Sequence, residues 1–231
     1  MSWFLAHPLT WLVATLLAYR LGVHLRDRTG HPVAQPVLVG VVLLAAALVL
    51  LDVDYATYAE GTTIVTFLLG PATVALAVPL HRQLGRLRGY ALPLVAGLLV
   101  GVVVSVGSAM LLVQLLGGDE LLARTVAPKA TTAPVAIALS RTIEGVAPLT
   151  AAIGITAGIL GAVAAPTVLT WLRVREHRAR GLATGAVSHG IGTSRMLHEH
   201  PVEGAFSGLA MGLTALATSL LLPLLVPLFL R

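Results

Sequence analysis

Two short polar segments interrupt a chain that is otherwise strongly apolar. GAVSHGIGTSRMLHEHPVEG spans residues 185–204, and LLARTVAPKATTAPVAIALSRTIE spans residues 121–144. An unsatisfied backbone polar group in hydrocarbon costs several kcal/mol, and ionisable side chains are also costly there. Such segments therefore lie in water outside a bilayer, or inside the protein where they line a polar site. We favour the second arrangement.

The later segment has the residue types of an anion site. If it forms a hairpin of two half-helices, one half-helix N-terminus offers free N–H groups that attract anions. Glycine lets the backbone approach a ligand, and hydroxyl groups can donate to a carboxylate. The predicted substrate-binding residues are Ser188, His189, Gly190, Gly192 and Thr193, with Arg195 as a charge. Packing of small residues between helices in lipid is the alternative.

The earlier segment predicts a second tip at Thr131, Thr132 and Pro134, with Lys129 as a further charge for the anion. Both cations have simpler explanations. Lys129 could mark the headgroup region, and Arg195 could pair with Glu199, four residues further along a helix.

A third predicted break lies near Gly70–Pro71, because proline interrupts helical hydrogen bonding. Pro71, Ala72 and Thr73 would then face the two tips and join the substrate site. A simple kink is the alternative.

Proton coupling is predicted at His189 and Glu203. A histidine titrates near physiological pH, which suits a coupling role. A hydrogen-bonded buried histidine and a capping or ion-paired glutamate are the alternatives. Ser188 beside His189 resembles a nucleophile–base pair, but it has neither an acid partner nor a GxSxG elbow, so we expect no enzyme activity.

Metal binding is not predicted, and we expect no cofactor. His198 and His200 flank Glu199, but residues i and i+2 do not share a helix face. The chain contains no cysteine, which excludes disulfides and thiolate metal sites.

The composition indicates a membrane protein. Of 231 residues, 57% are hydrophobic and only 11% are charged, whereas charged residues make up roughly 25% of soluble domains. We expect one integral membrane domain over residues 1–231. The net charge of +5 comes mainly from short clusters between apolar stretches. It indicates topology and lipid headgroup contact, and no nucleic-acid partner.

A full span needs about 20 apolar residues. Six candidate spans cover residues 8–25, 36–51, 61–80, 91–116, 146–172 and 205–230. Basic residues collect in cytoplasmic loops, so the cluster at 20–28 places the N-terminus outside. The basic residues 173–180 reach the cytoplasm only if 121–144 enters and leaves by one face. By the same reasoning, 181–203 is a hairpin from the inside.

The predicted fold is therefore all-α and polytopic, with about six full transmembrane helices and two opposed re-entrant hairpins or broken helices. Residues 127–145 and 185–204 both end in Glu-Gly, and a long span follows each. A hairpin plus a span crosses the membrane once, so the two copies would form an inverted repeat like those of secondary transporters. The glycines of residues 91–116 suggest a homodimer contact.

Several stretches resemble the LrgB/CidB family over about residues 35–230. They are LLGPATVALAVPL at 68–80, APKATTAPVAIA at 127–138, ITAGILGAV at 155–163, and ARGLATGAVSHGIGTSRMLHE with EGAFSGLA within 179–210. Ala130 and Ala133 stand where the family usually has hydroxyl residues, and His81 stands where it often has tyrosine. These departures leave the substrate open.

The resemblance implies a carrier of small monocarboxylates such as glycolate, glycerate or pyruvate in the inner (plasma) membrane. The family includes the LrgB-like half of the plastidic glycolate/glycerate translocator. An LrgA/CidA-like small membrane protein is the implied partner. The alternative implied by the same resemblance is an antiholin-like oligomer that regulates murein hydrolase activity and cell lysis.

Overall fold

The computed structural model describes residues 7–30, 34, 36–75 and 89–230, and every regular element in these ranges is an α-helix. Contacts divide the chain into two compact units, Met1–Thr73 and Val74–Arg231. The first unit contains α1 (Pro8–Thr29), α2 (Pro36–Leu50) and α3 (Tyr55–Gly61), and α4 (Thr63–Ala75) begins in it. The second contains α5 (Ala91–Leu115), α6 (Glu120–Val126), α7 (Ala133–Thr142), α8 (Ala147–Trp171), α9 (His177–Glu199) and α10 (Pro201–Phe229).

In the first unit, α1 packs closely against α2 and α3. The backbone of Gly22 meets Pro36, where an added Cβ would lie 2.8 Å from the proline Cα. Trp11 is buried and contacts the Tyr58 ring edge-on at a centroid distance of 6.0 Å. Pro71 lies inside α4, which is helical over Thr63–Ala75. The rest of the predicted third span and the basic loop, residues 76–88, lie outside the described residues.

Three helices of the second unit are long and apolar enough to cross a membrane. Within the described residues these are α5, α8 and α10. An all-helical membrane protein is thus confirmed, while the total of six spans stays a prediction. The α10 helix begins at Pro201, earlier than the predicted residue 205, because the His200 side chain accepts a hydrogen bond from Val202 N and proline suits the first turn.

The helices α5 and α10 run side by side in the same direction. Leu94 and Leu98, early in α5, pack with Phe206 and Leu209, early in α10. Near the other end, Gln114 Nε2 donates to the Phe229 carbonyl over 2.8 Å. Between these contacts lies the larger apolar core of the unit: Val102, Val106, Met110, Ala123, Ala127, Ile143, Leu222, Leu225 and Val226.

Candidate functional site

The helix α9 is broken at His189, where the chain reverses. His189 has φ 48° and ψ −135°, a conformation that residues other than glycine rarely adopt. An ideal Cβ on Gly192 would lie 3.0 Å from Thr184 Cγ2, although eight residues of unbroken helix span about 12 Å. The half-helices 177–188 and 190–199 therefore run in opposite directions. We call this pair the second hairpin.

The second hairpin packs against α10 through very close backbone contacts. A Cβ on Gly185 would overlap the Ser207 carbonyl group, so only glycine fits there. On the returning half, Thr193 Oγ1 lies 2.8 Å from Ser207 Oγ, and the nearest atom to a Cβ on Gly190 is Met211 Sδ at 3.8 Å. The tip thus lies level with Met211, about 15 Å along α10 at 1.5 Å per residue.

The segment formed by α6, residues 127–132 and α7 also doubles back, and we call it the first hairpin. Val146 N, just after the segment, donates to Thr125 Oγ1 over 3.0 Å. Thr150 Oγ1 lies 2.8 Å from the Thr125 carbonyl oxygen and 2.7 Å from Ser140 Oγ. Buried hydroxyl groups therefore hold both arms of this hairpin against the start of α8.

The two tips meet on one face of α8. His189 Nε2 lies 3.2 Å from the Lys129 carbonyl oxygen, a hydrogen-bond distance. A Cβ on Gly154 would lie 3.4 Å from that oxygen, and one on Gly158 would lie 3.2 Å from His189 Nδ1. Residues four apart share a helix face. Gly154 and Gly158 therefore form a surface of α8 without side chains, against which both tips pack, and we call it the glycine bed.

The hairpins reach this bed from opposite ends of α8. The first is anchored at the start of α8, through Val146 and Thr150. The second is anchored at its end, where Arg180 donates to Thr170 Oγ1 over 3.3 Å. The tips therefore meet between the two ends of a helix that is long enough to span a membrane.

Two hydroxyl groups near the tips have no hydrogen-bond partner in the described part of the chain. Ser188 Oγ and Thr132 Oγ1 are both buried. Thr132 precedes α7, yet its side chain makes no capping bond, and Pro134 fills the first turn. Thr131, by contrast, donates to the Pro128 carbonyl over 3.0 Å. Ser188 and Thr132 therefore each keep a buried donor that no described residue satisfies.

Lys129 is the only lysine of the chain and supplies a cation at the first tip. Its Nζ donates to Ser105 Oγ of α5 over 3.0 Å, and no carboxylate pairs with it among the described residues. Removing an ammonium group from water is costly unless an opposite charge or hydrogen bonds compensate. The arrangement suits a ligand that carries a negative charge.

Arg195 does not join the tips. Its Nε donates to Glu199 Oε1 and its Nη1 to the Ala162 carbonyl, both over 2.7 Å. It ties the returning half of the second hairpin to α8, which agrees with the ion-pair alternative that the sequence left open.

Glu203 lies in the first turn of α10 and not at the end of a hairpin. Its Oε1 is 2.8 Å from His177 Nδ1 and 3.2 Å from Arg180 Nε, while its Oε2 has no partner in the described residues. Pro71 belongs to the first unit, and its part in the site stays a prediction. The side chains of Ala72 and Thr73 lie outside the described residues.

The sequence predicted no role in the site for the glycines of α8 or for Ser105, which it indicated only as a helix-packing residue. Gly154 and Gly158 lie four residues apart on a predicted span, and this spacing was the sequence feature that could have predicted the glycine bed. No group of three or more potential metal ligands occurs within the residues that the structure describes.

Comparisons with known proteins give a consistent result. The model of the LrgB-like family matches residues 15–228, beginning earlier than the expected residue 35. The uncharacterized protein YxaC of Bacillus subtilis is 35% identical over 94% of this chain and 95% of its own length. The holin-like protein CidB of Staphylococcus epidermidis is 28% identical over 94% and 95%. No solved structure matches the chain.

Proposed function

Since the chain belongs to the LrgB-like family, we propose that it is a secondary carrier of small monocarboxylates, of the glycolate, glycerate or pyruvate kind. The observation that carries the proposal is Lys129, whose carbonyl group lies where two broken segments meet and whose ammonium group has no paired carboxylate among the described residues. The same two segments contain Ser188 and Thr132, whose buried hydroxyl groups have no partner in the described part of the chain. Ammonium and hydroxyl groups are donors that a carboxylate accepts hydrogen bonds from.

The opposed hairpins suit alternating access. Each tip stops against the glycine bed of α8, so a substrate held there is separated from each face by one hairpin. Broken helices that meet near the midplane are a common arrangement of secondary transporters. Small movements of either hairpin along α8 would open the site to one face and close it to the other. The remaining predicted residues of the second unit, Thr131, Pro134, Gly190, Gly192, Thr193 and Arg195, then shape or brace it.

Proton coupling fits the positions of two groups. His189 forms the second tip and lies beside the cation of the first, while Glu203 lies at the base of the same hairpin. A proton accepted at the base and passed to the tip would accompany the anion through the carrier. Both groups are proton-coupling candidates in this proposal.

The proposed orientation has the N-terminus outside the inner membrane, the first hairpin entering from outside and the second from the cytoplasm. The same direction of α5 and α10, and the opposite ends of α8 used by the hairpins, support entry from opposite faces. Loop charge is the argument for which face is outside. An LrgA/CidA-like small membrane protein and a second copy of this chain are the proposed partners.

Uptake by purified protein in proteoliposomes tests the carrier proposal. Labelled glycolate, glycerate and pyruvate are offered to the wild type and to Lys129→Met, Lys129→Arg and Arg141→Met. We expect saturable uptake of at least one acid, and a loss of about tenfold or more in Lys129→Met because the cation proposed to bind the carboxylate is removed. Arg141 is an exposed cation of the same hairpin and serves as the matched control. Unsaturable uptake, or an equal effect of both methionine variants, would contradict the proposal.

The names of relatives favour a second candidate function. Several are called holin-like protein CidB, and an oligomer of this chain could restrain or form a lytic pore. The same proteoliposomes distinguish the two functions. A pore releases unrelated neutral solutes at a rate proportional to their concentration, whereas a carrier retains them and saturates with its own substrate.

A further inference from the structure

A polar cavity lies at the base of the second hairpin, away from the tips. It has a volume of about 510 Å³. We call it the basal pocket. Its wall is formed by the end of α8, the connection to α9, and the neighbouring ends of α9 and α10: Thr170, Arg173, Val174, Arg175, His177, Arg180, Glu199, His200 and Glu203.

Cations without paired carboxylates line this cavity. Arg173 and Arg175 are exposed and form no ion pair within the described residues. The two acids of the wall are already paired, Glu199 with Arg195 and Glu203 with Arg180 and His177. The pocket therefore has two guanidinium groups available, and these bind oxyanions through paired N–H donors.

Glu203 also lines the cavity and restricts the ligand further. Its side chain is only 5% exposed, and its Oε2 has no hydrogen-bond partner in the described chain. Leaving a charged oxygen buried without a donor is costly. A ligand that is an anion and also carries a donor therefore suits both the two arginines and Glu203.

We propose that the basal pocket binds an oxyanion that still carries a hydrogen, such as the hydrogen phosphate group of a free phosphate or phosphate monoester. Arg173 and Arg175 bind the unprotonated oxygens, and the P–OH group donates to Glu203 Oε2. His177 and His200, whose rings stack at a centroid distance of 3.9 Å, form the adjacent wall. This site is separate from the tips and does not rest on the carrier proposal.

Sulfate provides the matched probe, since it has the shape and charge of hydrogen phosphate but no hydrogen at neutral pH. Titration calorimetry of the full-length protein in detergent compares sodium phosphate with sodium sulfate at equal ionic strength. We expect phosphate to bind about tenfold or more tightly than sulfate, because sulfate leaves Glu203 Oε2 unpaired. Phosphatidylmethanol, an anionic lipid phosphodiester whose headgroup carries no hydrogen-bond donor, is the third arm and should not compete.

Variants assign the binding to the pocket. The Arg173→Gln/Arg175→Gln pair changes only exposed side chains, so the protein should fold, and we expect phosphate affinity to fall by about tenfold or more. Arg178→Gln is the control, because Arg178 lies over the Tyr90 ring at 4.4 Å and outside the pocket. Lys129→Met should bind phosphate like the wild type, which separates this site from the tips.

The acceptor role of Glu203 has its own test. Glu203→Gln supplies an amide that can donate to sulfate, so the preference for phosphate over sulfate should disappear in the folded variant. Equal affinities for phosphate and sulfate in the wild type would overturn the proposal. So would unchanged phosphate affinity in the double arginine variant, or displacement of phosphate by phosphatidylmethanol.

Discussion

Lys129 and His189 lie 60 residues apart in the chain, yet the carbonyl group of one meets the imidazole of the other. Their residue types were sufficient to nominate both from the sequence, since ionisable groups in an apolar chain indicate function. The sequence could not predict their partners. Whether Lys129 meets an acid or the hydroxyl group of Ser105 depends on how α5 is aligned with the first hairpin. The same holds for Arg195, which binds backbone carbonyl groups of α8 in addition to Glu199.

His189 has a positive φ, so a substitution that accepts this φ can test proton coupling and still preserve the break in α9. Asparagine tolerates φ above zero better than most residues, so His189→Asn should fold while it removes the titrating ring. We expect this variant to lose uptake driven by an imposed pH gradient and to keep substrate exchange without a gradient. His198→Asn, an exposed residue of the same helix, is the control. Equal loss of driven uptake and exchange in His189→Asn would contradict a coupling role.

At the level of elements, the long apolar helices were predicted closely. Residues 91–116 and 146–172 correspond to α5 (Ala91–Leu115) and α8 (Ala147–Trp171), because continuous hydrophobicity over a membrane length leaves few alternatives. The first and last residues of the polar second hairpin were harder to predict. Its first half begins at His177, inside the basic cluster that was predicted to be a loop, and Glu203 belongs to α10. Long-range contacts of Arg180 and His177 with Glu203 stabilise these ends, and local composition does not reveal them.

Contact between the second hairpin and α10 depends on glycine at position 185. Gly185→Ala places a methyl group against the Ser207 backbone, which cannot move without displacing α10. We expect a loss of about 1–3 kcal/mol from overpacking and a lower Tm of the detergent-purified protein. Gly208→Ala in α10 is the control, since the nearest atom to its added Cβ is Thr193 Cγ2 at 3.7 Å, an ordinary contact distance. Its Tm should stay unchanged or rise, because alanine favours helix by about 1 kcal/mol over glycine. An unchanged Tm for Gly185→Ala would refute the close contact.

At the scale of the whole molecule, the helices and hairpins of the second unit run in directions that agree with one another. The helices α5 and α10 run together, α8 passes both tips, and the hairpins approach from its two ends. Loop charge predicts hairpins that enter from opposite faces, because basic residues stay cytoplasmic. Their re-entry into a membrane stays a prediction. The meeting of the tips could not be predicted from charge. It depends on the glycine bed of α8 and on the matching depths of the two hairpins.

Accessibility of single cysteines tests most directly whether two opposed hairpins form the site, and the chain itself provides a cysteine-free background. Glu120→Cys and Thr142→Cys flank the first hairpin, and Glu176→Cys and His198→Cys flank the second. All four positions are exposed. In right-side-out membrane vesicles, a membrane-impermeant maleimide should label the first pair without treatment and the second pair only after permeabilisation. Labelling of the two members of either pair from opposite faces would mean that the segment crosses the membrane, and the proposed carboxylate site would not exist.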